Sequence, residues 1–123
     1  MVIDTSALLA VLFNEKNGPR IAEILERDAH QLRMSTVNLA ETLILVEDRQ
    51  PHLFEELKTE ILSSSIRFVS PSVKQSEIAA SARIKFPLNL GDCFAYALSK
   101  EEDCAILTLD PDFTKTDRPL VPL

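Results

Sequence analysis

Acidic residues are the side chains of this chain best placed to do chemistry. Asp4 ends the apolar run Val2-Ile3, and Asp110 and Asp112 follow Ala105-Ile106-Leu107-Thr108. Asp92 stands in Asn89-Leu90-Gly91-Asp92-Cys93-Phe94-Ala95-Tyr96-Ala97-Leu98. That stretch reads as a helix that begins at a glycine, carries an acid in its first turn and is otherwise almost wholly apolar. Such a helix is buried, and a buried carboxylate needs a partner. Glu41 interrupts a second apolar run, and Asn38, three residues earlier, shares its helix face. Carboxylates gathered in one place repel one another and resist ionisation, and a cation keeps them charged. All-oxygen ligands select a hard ion, Mg²⁺ or Mn²⁺. Hard ions on carboxylates suit phosphodiester hydrolysis, where one ion or a pair activates water, orients the phosphate and offsets charge on the leaving oxygen. No His, Cys or Lys near these strand ends suggests zinc or covalent catalysis.

Each acid alone has an ordinary reading. Asp4 could cap a helix, Asp92 could answer a helix dipole, Glu41 could sit in a solvated notch, and Asp110 and Asp112 could be turn residues. Their joint placement at strand ends is what argues for a site. Thr5, Ser6, Asn38 and Thr108 read as caps or as support around the acids. Arg83 and Lys85 precede the Asp92 helix, and Lys115 and Arg118 follow the acidic turn. Both pairs could flank the site and grip a phosphate backbone, or belong to an ordinary solvated surface.

The elements that must position these groups alternate along the chain. Val2-Ile3 reads as a buried strand. Thr5 and Ser6 are suited to cap a helix over Ala7 to Phe13. Asn17-Gly18-Pro19 breaks it and opens a second helix carrying Ile21, Ile24 and Leu25. Gln31 to Met34 reads as a second strand, with Ser35 capping an apolar helix to about Arg49. A helix from about His52 to Ser63 places Leu53, Leu57, Ile61 and Leu62 on one side. Ile66 to Val69 is a third strand, stopped by Pro71, and Val73 to about Ile84 a further helix. Ala105 to Thr108 is the fourth strand, and Leu120-Val121 a short last one between prolines. Alternating strands and helices, without hairpin signals and with only two glycines, predict a mostly parallel four- to five-stranded sheet with helices on both faces, in one α/β domain over residues 1–123. The sheet's carboxyl edge is then the ligand edge, and Asp4 and Asp110 meet there if the first and fourth strands are neighbours.

Composition sets the frame. Hydrophobic residues at 46% are normal for a globular protein. No apolar stretch approaches a membrane span, and the N-terminus lacks the basic and apolar regions of a signal peptide. Cys93 and Cys104, in apolar surroundings, read as free thiols of a reducing, cytoplasmic compartment. The net charge of −6 argues against nucleic acid when taken alone. A cluster of acids that holds cations reverses that charge locally.

Three segments resemble the PIN-domain family, and within it the VapC-type toxins. They are Met1-Val2-Ile3-Asp4-Thr5-Ser6-Ala7-Leu8-Leu9-Ala10, Ser35-Thr36-Val37-Asn38-Leu39-Ala40-Glu41 and Leu88-Asn89-Leu90-Gly91-Asp92-Cys93-Phe94-Ala95-Tyr96-Ala97-Leu98. A fourth, Leu107-Thr108-Leu109-Asp110-Pro111-Asp112-Phe113, resembles the family's closing motif. The resemblance implies a three-layer PIN-like fold and a ribonuclease using Mg²⁺ or Mn²⁺. The family's three firm acids fall on Asp4, Glu41 and Asp92, its fourth on Asp110 or Asp112, and its small polar residue on Ser6 or Thr5. It also implies a homodimer and a VapB-type antitoxin that lays a segment, often with an Arg, across the acids. The Leu-rich helices between Val37 and Leu62 are candidates for the dimer face. Similar toxins often carry a longer Gly- and basic-rich stretch before the third segment, and here Arg83 to Asn89 is compact. Two other readings stand beside this one: a binding module on a decayed nuclease fold, and a phosphatase or phosphotransferase with Asp4 as nucleophile. The second lacks the acid expected two residues on, where Ser6 stands.

Overall fold

A computed structural model describes all residues 1–123. Four short strands, β1 (Val2–Ile3), β2 (Arg33–Ser35), β3 (Arg67–Val69) and β4 (Ile106–Leu107), form one sheet in the order β3-β2-β1-β4, every pair parallel. The helices between them are α1 (Thr5–Leu12), α2 (Gly18–Arg27), α3 (Thr36–Arg49), α4 (Phe54–Leu62), α5 (Val73–Lys85) and α6 (Leu90–Glu102). The chain steps one way from β1 to β3, then crosses to the far side of β1 for β4. That reversal puts a switch point between β1 and β4, the usual crevice for a ligand in an open parallel sheet. Asp4 N donates to Leu107 O at 3.0 Å, which locks the first acid against β4.

The sheet is covered on both faces because its strands are apolar on both. Val2 and Ile106 join a core with Ala79, Ala82, Leu88, Leu98 and Phe113, packed under α5 and α6. Their neighbours Ile3 and Leu107 face the other way, into a core with Leu8, Ile21, Ile24, Met34 and Ile61 from α1, α2, β2 and α4. Two-residue period along the strand sends alternate side chains to opposite layers.

Several local expectations shift. Thr5 and Ser6 lie inside α1, and Asp4 takes the cap position, its carbonyl accepting from Ala7 N and Leu8 N. The helix starts two residues early because both hydroxyls have tertiary partners instead. Asn89, not the glycine, caps α6: its Oδ1 accepts from Asp92 N at 2.8 Å. Ser35 does cap α3, through Val37 N. Gln31 belongs to a 3-10 turn (Ala29–Gln31) before β2. The expected strand at Leu120-Val121 shrinks to a single parallel bridge, Ile106 to Leu120, since the flanking Pro119 and Pro122 have no N–H to extend a ladder. Leu62, expected on the buried side of α4, is 53% exposed, and Ile44 on α3 is 67% exposed.

The closing acidic turn is anchored by one ring. Asp110 leads a 3-10 turn (Pro111–Lys115) whose Phe113 is fully buried in the α5–α6 core. Phe113→Ala is expected to destabilise the protein by about 3–5 kcal/mol, the cost of a large ring removed from a packed core, read from the urea unfolding midpoint.

Candidate active site

Asp4 is 1% exposed at the carboxyl end of β1. Its side chain makes no capping bond to α1. Its Oδ2 accepts from Ser6 Oγ at 2.7 Å and from Thr108 Oγ1 at 2.8 Å. Each hydroxyl is itself tied to the segment after β4: Leu109 N donates to Ser6 Oγ at 2.9 Å and Asp110 N to Thr108 Oγ1 at 3.0 Å. The two small polar residues therefore couple the first acid to the closing turn. Asp4 Oδ1 is buried and has no partner. Burial raises the Asp4 pKa, against the lowering effect of the Ser6 and Thr108 hydroxyls.

A second coupling joins α3 to α6. Asn38 is fully buried, and its Nδ2 donates to Thr5 Oγ1 at 3.2 Å and to Gly91 O at 3.1 Å. Its own carbonyl accepts from Thr42 Oγ1 at 2.8 Å. One amide thus ties the starts of α1, α3 and α6. Glu41, one turn on, lies over the same glycine. A Cβ on Gly91 would sit 2.8 and 2.9 Å from the two Glu41 oxygens, closer than real Cβ atoms come. A side chain at position 91 would displace the Glu41 carboxylate, where the sequence pattern suggests only a helix start.

Asp92 is 6% exposed in the first turn of α6. Its pKa is pushed up to about 7, first by burial and then by the charges of Asp4, Asp110 and Glu41. Carboxylates from three other segments therefore act on Asp92. None of the four takes part in the molecule's ion pairs. Their neighbours are hydroxyls and amides, which orient a carboxylate without neutralising it.

Asp112 differs from Asp110. Asp110 Oδ1 accepts from Asp112 N at 2.9 Å, while the Asp112 carboxylate is 40% exposed and pairs with Lys115 at 3.4 Å. Of the two, Asp110 is the one whose charge acts on Asp92. The basic residues do not gather at the acids. Arg118 is taken up at the far end of α6, donating to Ser99 Oγ at 3.0 Å and pairing with Asp103 at 3.1 Å, its side chain only 10% exposed. It is an internal tie, where the sequence suggests a phosphate grip. Arg83 lines one cavity with Leu90, Cys93 and Phe94, and Lys85 another with Tyr96 and Lys100. Asn89 is a residue of this site that the motifs alone do not single out, although Asn three before Asp is a recognisable cap signal.

The PIN domain model matches residues 1–119. The chain belongs to the PIN-domain family, among its VapC members. As a PIN domain it is 35% identical over 126 residues to Ribonuclease VapC30 of Mycobacterium tuberculosis, covering 95% of both chains. It is 36% identical over 129 residues to Ribonuclease VapC of Mycolicibacterium smegmatis, covering 95% of this chain and 96% of the relative. Its fold matches M. tuberculosis VapC20, described as a Sarcin-Ricin loop cleaving toxin, with a TM-score of 0.84 at 18% identity over 99% of this chain and 98% of that one. It also matches the DNA-bound VapBC of Salmonella typhimurium, with a TM-score of 0.80 at 13% identity over 98% and 95%.

The donor set of this PIN domain fits a hard divalent cation: all oxygen, four acids without a positive partner, and one buried carboxylate oxygen unsatisfied. As they stand, no three of the acids are disposed to hold one ion. The raised Asp92 pKa fixes a stability profile for the metal-free protein. A carboxyl with a raised folded pKa favours folding below its unfolded value near 3.8, and loses that contribution as pH climbs to about 7. Metal-free wild type is therefore expected to lose stability between about pH 4 and pH 7. Asp92→Asn should flatten that fall and melt about 3 °C or more above wild type at pH 8. A thermal melt in EDTA at several pH values checks both.

Proposed function

We propose that this PIN domain is a metal-dependent endoribonuclease, the toxin of a type II toxin–antitoxin pair. The observation that carries the reading is Asp92, held in the first turn of α6 against Asp4, Glu41 and Asp110 with no basic side chain paired to any of them. Relatives named as VapC ribonucleases along nearly the whole chain support it.

Asp4, Asp92, Glu41 and Asp110 would hold Mg²⁺ or Mn²⁺, with Asp112 at the rim. When bound, such an ion activates water and offsets charge on a phosphate. The chain's own part is positional. Ser6 and Thr108 fix one oxygen of Asp4 and leave the other free to bind. Asn38 and Asn89 set the start of α6, hence the direction of Asp92. Glu41, seated against Gly91, would bring its carboxylate to the site from the α3 side. The VapBC complexes among the structural neighbours support a VapB-type antitoxin as partner. A segment of it presenting a cation would find four unpaired acids to bind. Exposed Ile44 on α3 offers apolar surface for a second copy in a homodimer.

The test is cleavage of a panel of single-stranded and structured RNAs in Mg²⁺, Mn²⁺ or EDTA. Wild type should cleave only with metal. Asp4→Asn and Asp92→Asn should lose more than about a hundredfold, beyond the 10–100-fold typical of losing an outer support residue. Undiminished cleavage by folded Asp92→Asn protein would sink the assignment.

Gly91→Ala tests the seat of Glu41. The new methyl meets only the end of a flexible side chain, so the protein should fold with a near-wild-type melting temperature. Cleavage should fall about tenfold or more, in the range typical of removing support residues. Retained activity would show that Glu41 needs no fixed seat.

A further inference from the structure

We propose that RNA leaves the acidic site along α6 and that its phosphate backbone is gripped by Lys74 and Lys85 of α5. The inference rests on the ribonuclease reading above and concerns how the substrate is held. A cavity of about 370 Å³ lies between α5 and α6, lined by Lys74, Ser81, Lys85, Phe86, Tyr96 and Lys100, with Glu77 and Asp117 in its wall.

Three observations point to a strand of phosphates there. The first is charge. The chain has 13 Lys and Arg against 19 Asp and Glu. Eight of the cations are held in ion pairs: Arg20, Arg27, Arg33, Lys58, Arg67, Lys100, Lys115 and Arg118. Two of the remaining five, Lys74 and Lys85, face this one cavity. Asp117 is already taken by Lys100 at 2.7 Å and by the Tyr96 hydroxyl at 2.6 Å, so Glu77 is the one acid of the wall left unpaired.

The second observation is continuity with the acids. Asp92, Tyr96 and Lys100 follow one another at four-residue spacing along α6, so the cavity begins one turn beyond Asp92. Asp117 follows the turn that carries Asp110. The cavity is thus built from the same two segments that hold two of the acids. On α5, Lys74, Ile78, Ser81 and Lys85 share a face, with the two lysines about 16 Å apart along the axis. That separation spans non-adjacent phosphates of one strand and is too wide for one small anion.

The third observation is what the cavity does not offer. The Tyr96 ring is 5% exposed, with the Lys100 ammonium 6.0 Å from its centroid and Phe86 packed against it at 5.5 Å. Tyr96 offers no open face for a base to stack on. The grip is one of charge, and it positions RNA without reading its sequence.

The experiment uses the full chain carrying Asp92→Asn, with Mg²⁺, and fluorescence anisotropy on labelled single-stranded RNAs of different sequence. Lys74→Ala with Lys85→Ala should weaken binding at least about fivefold on every RNA. It should also reduce the salt slope by about 1.4, at about 0.7 for each phosphate no longer neutralised. Lys74→Arg with Lys85→Arg should keep both, and Lys16→Ala, which removes an unpaired cation elsewhere, should change neither. A double-alanine variant with the parent's affinity and salt slope overturns the proposal and leaves the nuclease reading intact. So does a loss confined to binding of an antitoxin segment, which would give the cavity to a protein partner. No RNA binding by the parent, together with no metal-dependent cleavage by wild type, would overturn both.

Discussion

The structure turns on carboxylates placed where water cannot fully solvate them. Asp4 and Asp92 are nearly buried, the charges of Asp4, Asp110 and Glu41 act on Asp92, and none of the four is paired with a Lys or Arg. A fold built for stability alone would not gather uncompensated acids at one edge. The protein tolerates them by surrounding them with neutral donors: Ser6 and Thr108 on Asp4, and Asn89 on the backbone of Asp92. Within the chain, no positive charge is paired with these acids.

The rest of the architecture follows from keeping those groups in register. Strand order brings β1 and β4 side by side, so the acid after one meets the turn after the other. Helix α6 runs from the acidic edge to the opposite end of the molecule. Its start is tied by Asn38 and Asn89. Its far end is tied by Glu102, which pairs with Arg33 and Arg67 of β2 and β3, and by Arg118, which donates to Ser99. Cations thus serve the end of α6 where its dipole is negative, and amides serve the end that carries Asp92. This division explains why Arg118 is spent on structure.

A chain with a net charge of −6 can still have a nucleic acid as its substrate when its charges are segregated. Four acids without a positive partner, Asp4, Glu41, Asp92 and Asp110, gather at one edge. The unpaired lysines of α5 face a separate cavity one turn down α6. Net charge averages over that separation, and a strand of RNA responds to the local field.

The sequence by itself determined the elements and most of the acids. Apolar runs, caps and prolines placed every strand and helix to within a few residues, because those signals act over neighbours along the chain. The strand-end positions of Asp4 and Asp110 and the buried setting of Asp92 were legible for the same reason. Tertiary structure alone decided how these parts meet. Ser6 and Thr108 act as a pair across 102 positions, and Asn38 reaches Gly91 across 53. No local pattern shows that Thr5 and Ser6 give up capping for those partners. Nor does one show that Gly91 is kept small for Glu41, or that of two acids in one turn Asp110 faces Asp92 while Asp112 faces Lys115. Each depends on which segments the parallel crossovers bring together. Spacing along the chain encodes faces and turns, but a side chain's partner is set by where the fold returns.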